Sequence, residues 1–194
     1  YAMFRDEFKC ANFKQNDWFW YNNNIWKNTE NGVELQCRLS TDVAKLFRDK
    51  EKAEIANIDA TGECQHKDID PSCPTCAAEL RKKQYSALRL KLKTTRFKES
   101  VMKECRALFY DREFADKVDE NKHLIAFRNG VFDTLKREFR AGQPEDYISM
   151  CTEIDYAVDT QYHEFACWSE LKQFLHSILP NKNVREYFFN HLAT

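Results

Sequence analysis

Aromatic residues crowd the first 28 positions of the chain, with polar residues between their clusters. Trp18-Phe19-Trp20-Tyr21 and Ile25-Trp26-Lys27 flank Asn22-Asn23-Asn24. Asparagine accepts the left-handed backbone of a tight turn, so this stretch predicts two short paired strands. From Glu34 to about Lys50 the spacing changes. Apolar residues at 35, 39, 43, 46 and 47 follow the period of an amphipathic helix, with Ser40-Thr41-Asp42 as a point of breaking or re-capping. Residues 50–76 are the least core-like part, charged at first and then carrying Thr61-Gly62-Glu63 and Asp70-Pro71-Ser72-Cys73-Pro74, which reads as a helix tail running into a surface insertion. A helical zone without Gly or Pro follows from about Ala77 to Phe109. Leu80, Leu88, Leu92, Val101, Cys105 and Leu108 are its expected buried stripe.

Residues 123–150 change character. Leu124-Ile125-Ala126-Phe127 reads as a strand and Asn129-Gly130 as a turn. Val131-Phe132-Asp133 and Glu138-Phe139-Arg140 read as a further small hairpin. Trp168 to Leu179 and Val184 to Leu192 are two amphipathic helices separated at Pro180. These elements predict an α+β fold, mostly helical, with one or two small antiparallel β-hairpins. The scarcity of turn formers, 4 Gly and 4 Pro in 194 residues, agrees with long helices. One module over 1–194 is expected, with 50–76 as the insertion within it. A chain of this length buries enough surface to fold without disulfides or metal.

Composition narrows the class. No run of 18 apolar residues occurs, so no membrane-spanning helix and no membrane partner are expected. The chain opens on Tyr1 without a leader pattern and stops at His191-Leu192-Ala193-Thr194 within a helical pattern, which leads us to expect a segment of a longer protein. Most of the eight cysteines sit in apolar stretches, as Cys37, Cys105 and Cys167 do. That predicts buried reduced thiols and an intracellular, reducing setting.

The net charge of −1 conceals a strong asymmetry. Residues 79–106 hold 10 Lys/Arg against 3 Asp/Glu, a net of +7, between flanks of −3 and −5. Lys82, Arg89, Lys93 and Arg96 recur at helical spacing, which predicts one basic face suited to phosphate backbone without sequence readout. The competing reading is a solvated face, or one paired with acidic residues of the same chain.

Much catalytic chemistry is missing from the sequence. The glycines at 32, 62, 130 and 142 never precede Lys, so no Gly-x4-Gly-Lys-Ser/Thr phosphate loop is encoded. Neither a Gly-x-Ser-x-Gly elbow nor a His-Glu-x-x-His pair appears. No catalytic residue is assigned. Asp68-x-Asp70 is the only candidate carboxylate pair singled out for a metal-dependent nucleic-acid enzyme, and it lies in a weakly apolar loop. Cys64-x-His66 with Cys73-Pro74-Thr75-Cys76 has the residue types of a structural zinc knuckle, although the usual second pair is missing; exposed loop cysteines are the bland alternative.

The central block is the most distinctive. Phe127-Arg128-Asn129-Gly130-Val131-Phe132-Asp133 is followed by Phe139-Arg140-Ala141-Gly142-Gln143-Pro144-Glu145-Asp146-Tyr147 and then Asp155-Tyr156. This succession resembles the module that precedes the helicase in viral primase-helicases, shared by poxvirus and giant-virus replication proteins and satellite-phage primases. The Trp18–Trp26 hairpin, Val101-Met102-Lys103-Glu104-Cys105, and the stretches from Trp168 to Pro180, Arg185-Glu186-Tyr187 and His191-Leu192-Ala193 are similar to other parts of it. The 50–76 stretch departs from it.

The resemblance implies a connector or collar between an N-terminal primase and a C-terminal superfamily 3 ATPase. It implies a parent that unwinds DNA with ATP and Mg in its helicase domain, at a viral replication site in the host cell. The implied partners are single-stranded or forked DNA, the flanking primase and helicase domains, and further copies of the chain in a hexameric ring. A purely structural oligomerisation collar without DNA affinity is the alternative. The motif residues Asn129, Gly130, Asp133, Arg140, Gly142, Pro144 and Asp146 are expected to act mainly in the fold, through turn capping and an Arg140 bridge to Asp133 or Asp146.

Overall fold

A computed structural model of the chain describes residues 1–62, 64, 66, 70, 72–157 and 167–192. The opening strands are β1 (Phe8–Asn12), β2 (Asp17–Asn22) and β3 (Ile25–Glu30), an antiparallel sheet in that order. Asn22 pairs with Ile25, and Asn23 and Asn24 take φ of 52° and 68°. The predicted asparagine turn is therefore present, in the left-handed form that suits the twist of a hairpin. Strand β1 adds to the predicted pair. Its Phe8 and Cys10 are fully buried at alternate positions, while Lys9 between them reaches Asp111 at 3.5 Å.

The predicted Glu34–Lys50 helix is α1 (Val33–Arg38), a π-helical turn (Leu39–Val43) and α2 (Ala44–Thr61). The break falls at Ser40-Thr41-Asp42. Thr41 Oγ1 donates to the Cys37 carbonyl at 3.1 Å, where the ladder is widened, and Ser40 Oγ reaches out of the helix to the Leu92 carbonyl at 3.1 Å. Helix α2 continues to Thr61 and stops at Gly62, φ 77°. The helix tail expected to lead into the insertion is therefore present as far as Thr61, the outgoing half of a hairpin whose return is α3 (Pro74–Lys91). The pairs Glu51–Arg89, Glu54–Arg81 and Thr61–Thr75 fix the two helices as antiparallel.

The long helical zone is interrupted at 92–94, and α4 (Thr95–Leu108) starts a new phase. Thr94 is extended there, with ψ 136°. The expected buried stripe is corrected as well. Leu92, Met102, Cys105 and Phe109 are buried, whereas Leu108 is 56% exposed and Leu80 39% exposed. Leu92, Met102, Cys105 and Phe109 join Phe4, Phe8, Cys10, Trp18, Leu35 and Leu39 in the main core. Cys37 is also corrected: it is exposed, because two residues along a helix from both Leu35 and Leu39 is the opposite face.

After the short α5 (Phe114–Lys117), β4 (Leu124–Phe127), β5 (Gly130–Asp133) and β6 (Glu138–Arg140) form a second antiparallel sheet in sequence order. Ala126, Val131 and Ile148 make a small second core with Ile25 from the first sheet. All these elements lie in one compact unit, Tyr1–Asp155. A second unit, Tyr156–Thr194, holds α6 (Cys167–Ile178) and α7 (Lys182–Leu192), the two predicted closing helices. Arg185 Nη1 donates to the carbonyls of Leu179 and Pro180 at 2.6 and 2.9 Å, closing the end of α6. The fold is α+β, mostly helical, as the sequence predicts. No helix among the described residues is long and apolar enough to cross a membrane.

Candidate functional site: a sheet latch, a cysteine–histidine knuckle and a basic groove

The central motif joins the two sheets. Asn24, at the tip of the β2–β3 hairpin, donates through Nδ2 to the Arg128 carbonyl and accepts at Oδ1 from the Gly142 N–H, both at 3.1 Å. Trp26, almost fully buried, donates its indole N–H to the Pro144 carbonyl at 2.8 Å and its backbone N–H to the Ile148 carbonyl at 2.7 Å. A Cβ on Gly142 would lie 2.6 Å from Asn24 Cβ, so only glycine permits this approach. Arg140 grips Asp146 through two bonds of 2.8 and 2.6 Å, and Asp146 also accepts from the Gln143 N–H at 2.8 Å. The Arg140 bridge therefore goes to Asp146. Asp133 instead accepts from the backbone N–H groups of Leu135 and Lys136, at 3.0 and 3.1 Å.

The expectation that Gly130 forms the turn is corrected. Phe127 pairs with Gly130, so the turn residues are Arg128 and Asn129, and Gly130 opens β5. Its role is to admit β6: a Cβ there would fall 2.5 Å from the Arg140 carbonyl oxygen and 2.6 Å from Phe139 Cζ.

The knuckle residues Cys64, His66, Cys73 and Cys76 come together, with one ligand atom from each lying within 4.8 Å of the others. Cys64 Sγ is 3.4 Å from Cys76 Sγ, which in turn is 3.7 Å from His66 Nδ1. Cys73 caps α3 and Pro74 is its first residue, which suits a helix start because proline has no N–H to leave unpaired. Hydrogen bonds from the Cys76 backbone, against some burial and with help from Thr75, bring the Cys73 thiol down to about 7. A backbone hydrogen bond involving Asp70 pulls the Cys76 thiol down, but the Cys64 thiol and burial outweigh it and push it up to about 11.

Of the carboxylate pair weighed from the sequence, Asp68 lies outside the described residues. Asp70 Oδ1 accepts from the Ser72 N–H and hydroxyl at 2.8 and 2.7 Å, and its other oxygen faces His66 Nε2 at 3.8 Å.

The four basic candidates do not share one helix face, because the break at 92–94 separates them. Lys82 and Arg89 are on α3, Lys93 is in the break and Arg96 is in the first turn of α4. Arg89 Nε holds Glu51 at 3.1 Å, and Arg81 holds Glu54 at 2.9 and 3.0 Å, so part of the positive excess is matched within the chain. Arg89 and Lys93 instead converge with Lys45 and Arg48 of α2 on a groove of about 330 Å³, lined also by Ser40, Thr41 and Asp42. Asp42 is engaged by Arg38. Lys45 and Arg48 escaped the sequence reading because they lie in a stretch with no positive excess. Their i, i+3 spacing was the available signal.

An α+β module with a latched pair of sheets, a basic groove and none of the phosphate-loop chemistry of an ATPase is the class that these features define. The chain belongs to the D5 N terminal like family, whose model matches residues 1–180. It is 30% identical over 194 residues to "Putative helicase L207/L206" of Acanthamoeba polyphaga mimivirus, covering 96% of this chain and 18% of that protein. It is 39% identical over 103 residues to "Putative helicase 121R" of Invertebrate iridescent virus 3, covering 53% and 11%. A protein of Frog virus 3, "Putative helicase 022R", is 26% identical over 173 residues, covering 78% and 18%. The chain thus spans less than a fifth of the length of these relatives. It is a module of the kind found in viral proteins named as helicases.

Proposed function

We propose that the chain is the connector ahead of the ATPase in a viral replicative helicase, and that it holds single-stranded or forked DNA by its phosphates in the groove between α2 and the end of α3. The observation that carries the DNA contact is the convergence of Lys45, Arg48, Arg89 and Lys93 on that groove. Lys45 and Lys93 are exposed and make no ion pair among the described residues. Arg48 faces only its exposed neighbour Asp49, at 3.9 Å, a pairing of little strength in water. Flexible cations around a polar groove attract a phosphate chain without reading bases.

In this reading ATP and Mg act in the parent's helicase domain, and the parent unwinds DNA. Flanking primase and helicase domains adjoin this module, which helps a hexameric ring to assemble. The helicase names of the relatives and the family membership support that setting. The Lys82 and Arg96 candidates lie outside the groove and contribute less.

Binding of a fluorescent single strand and a forked duplex at low salt tests the assignment. Lys45→Glu, Arg48→Glu and Lys93→Glu together should weaken binding at least tenfold with unchanged helical circular dichroism. Lys82→Glu with Arg96→Glu should weaken it less. Undiminished binding by the triple variant overturns the groove, and absence of binding at low salt favours a structural collar.

A further inference from the structure

We infer that Cys64, His66, Cys73 and Cys76 form a structural zinc site that staples the end of α2 to the start of α3.

The distances are those of a tetrahedron before it is drawn tight. With Zn–S bonds of about 2.3 Å, two sulfurs on one zinc lie about 3.8 Å apart, and a sulfur and an imidazole nitrogen slightly less. Cys64 Sγ to Cys76 Sγ is 3.4 Å and Cys76 Sγ to His66 Nδ1 is 3.7 Å, and the longest separation among the four ligand atoms is within 4.8 Å. Every pair therefore lies within about 1 Å of its separation on a tetrahedral zinc. Three sulfurs and one nitrogen are the donor set that prefers zinc to the harder magnesium or calcium.

A second observation concerns the histidine. Its Nδ1 faces the sulfurs and its Nε2 faces Asp70 Oδ2 at 3.8 Å. Metal-bound histidines direct their other nitrogen at a carboxylate, a backbone carbonyl or water, which fixes the ring and its tautomer, and Asp70 stands on that side of His66. Asp70 is itself held by the N–H and hydroxyl of Ser72. A ligand, its orienting carboxylate and the support for that carboxylate are therefore assembled in sequence. This arrangement gives His66 a purpose that an incidental group of loop cysteines does not require.

The fold explains what the staple would do. Helices α2 and α3 are tied along their length by Glu51–Arg89 and Glu54–Arg81. At the far end, Thr75 Oγ1 reaches Thr61 Oγ1 at 3.1 Å and the Gly62 carbonyl at 3.3 Å. Cys64 follows the end of α2, and Cys73 and Cys76 lie at the start of α3. Zinc would bind the three cysteines as thiolates, releasing their protons to solvent, and His66 as neutral imidazole. With all four positions filled by protein, the site is structural.

Metal analysis of the chain, purified with a thiol reductant and without chelator, should give one zinc per chain. After chelation and return to Co²⁺, one equivalent should bind with the absorption of a tetrahedral thiolate complex. His66 is exposed, so His66→Ala should keep the helical content and alter that absorption. Asp70→Asn should keep the stoichiometry and weaken zinc affinity about 10- to 100-fold. Cys64→Ser with Cys73→Ser should abolish binding. No zinc taken up by the reduced chain overturns the site, as does equal retention by the double variant. A Cys73–Cys76 or Cys64–Cys76 disulfide in place of metal overturns it in favour of a redox dithiol.

Discussion

Gly142→Ala is the sharpest probe of the latch between the sheets. The added methyl would lie 2.6 Å from Asn24 Cβ, 2.7 Å from its Oδ1 and 3.0 Å from its Cα. Ordinary contact needs about 3.5–4.0 Å between carbons, so the Asn24 turn must retreat by roughly 1 Å. That retreat breaks the 3.1 Å bond from the Gly142 N–H to Asn24 Oδ1 and pulls on the Trp26–Pro144 bond next to it. One lost hydrogen bond costs about 1 kcal/mol and the forced separation about 1–3 kcal/mol, together about 2–4 kcal/mol. With a urea slope of about 2 kcal/mol/M, the unfolding midpoint should fall by about 1–2 M.

Tryptophan fluorescence reads this directly, since Trp26 is buried within the latch. The control is Asn24→Gly. It removes the clashing side-chain atoms at a position whose φ of 68° glycine adopts freely. In that background Gly142→Ala should cost only about 1 kcal/mol, so the two changes are strongly coupled. A Gly142→Ala chain with the parent midpoint would refute the reasoning, and so would equal costs in both backgrounds.

Other outcomes follow from the same geometry. Arg140→Lys replaces a two-pronged grip on the nearly buried Asp146 with a single ammonium, and should cost about 1–3 kcal/mol in urea unfolding with little change in helix content. Asp133 is held below the usual aspartate range, first by the Lys136 N–H and then by the Leu135 N–H, against slight burial. Its folded value is the lowered one, so its contribution is complete above about pH 3.9 and is lost as pH falls through the lower folded value. Asp133→Asn should therefore flatten the acid limb of a stability-against-pH curve; an unchanged limb contradicts this.

Much of the fold is legible in local pattern. Asn23 and Asn24 announce the β2–β3 hairpin because few other residues accept their backbone, and the strands from Leu124 to Arg140 are announced by short apolar runs on either side of Asn129-Gly130. What escaped the pattern is set by distant partners. Nothing in Leu92-Lys93-Thr94 resembles a helix stop, yet the Leu92 carbonyl accepts from Ser40, 52 positions away, and its side chain is buried in the main core. A helical phase carried across that break puts Lys82 and Arg96 on one face, and that inference fails with the break; Leu108 fails for a local reason, lying about 100° around α4 from the buried Phe109. Gly130 is another case: the Asn-Gly pair signals a turn, but the glycine is required by β6, whose approach no local pattern encodes. Within the site, the cysteine–histidine spacing brings its four residues together as read. The basic groove needed α2 and α3 to be known as neighbours before Lys45 and Arg48 could be placed beside Lys93.

The salt dependence of DNA binding tests the central claim most directly. Lys45, Arg48 and Lys93 offer three phosphate contacts, which for a single strand predicts a slope of log affinity against log salt of about −2. Affinity should then fall about 20-fold between 50 and 200 mM salt, and the slope should approach zero when the three are reversed in charge. A slope near zero for the unaltered chain, or one that survives the reversal, would contradict the account.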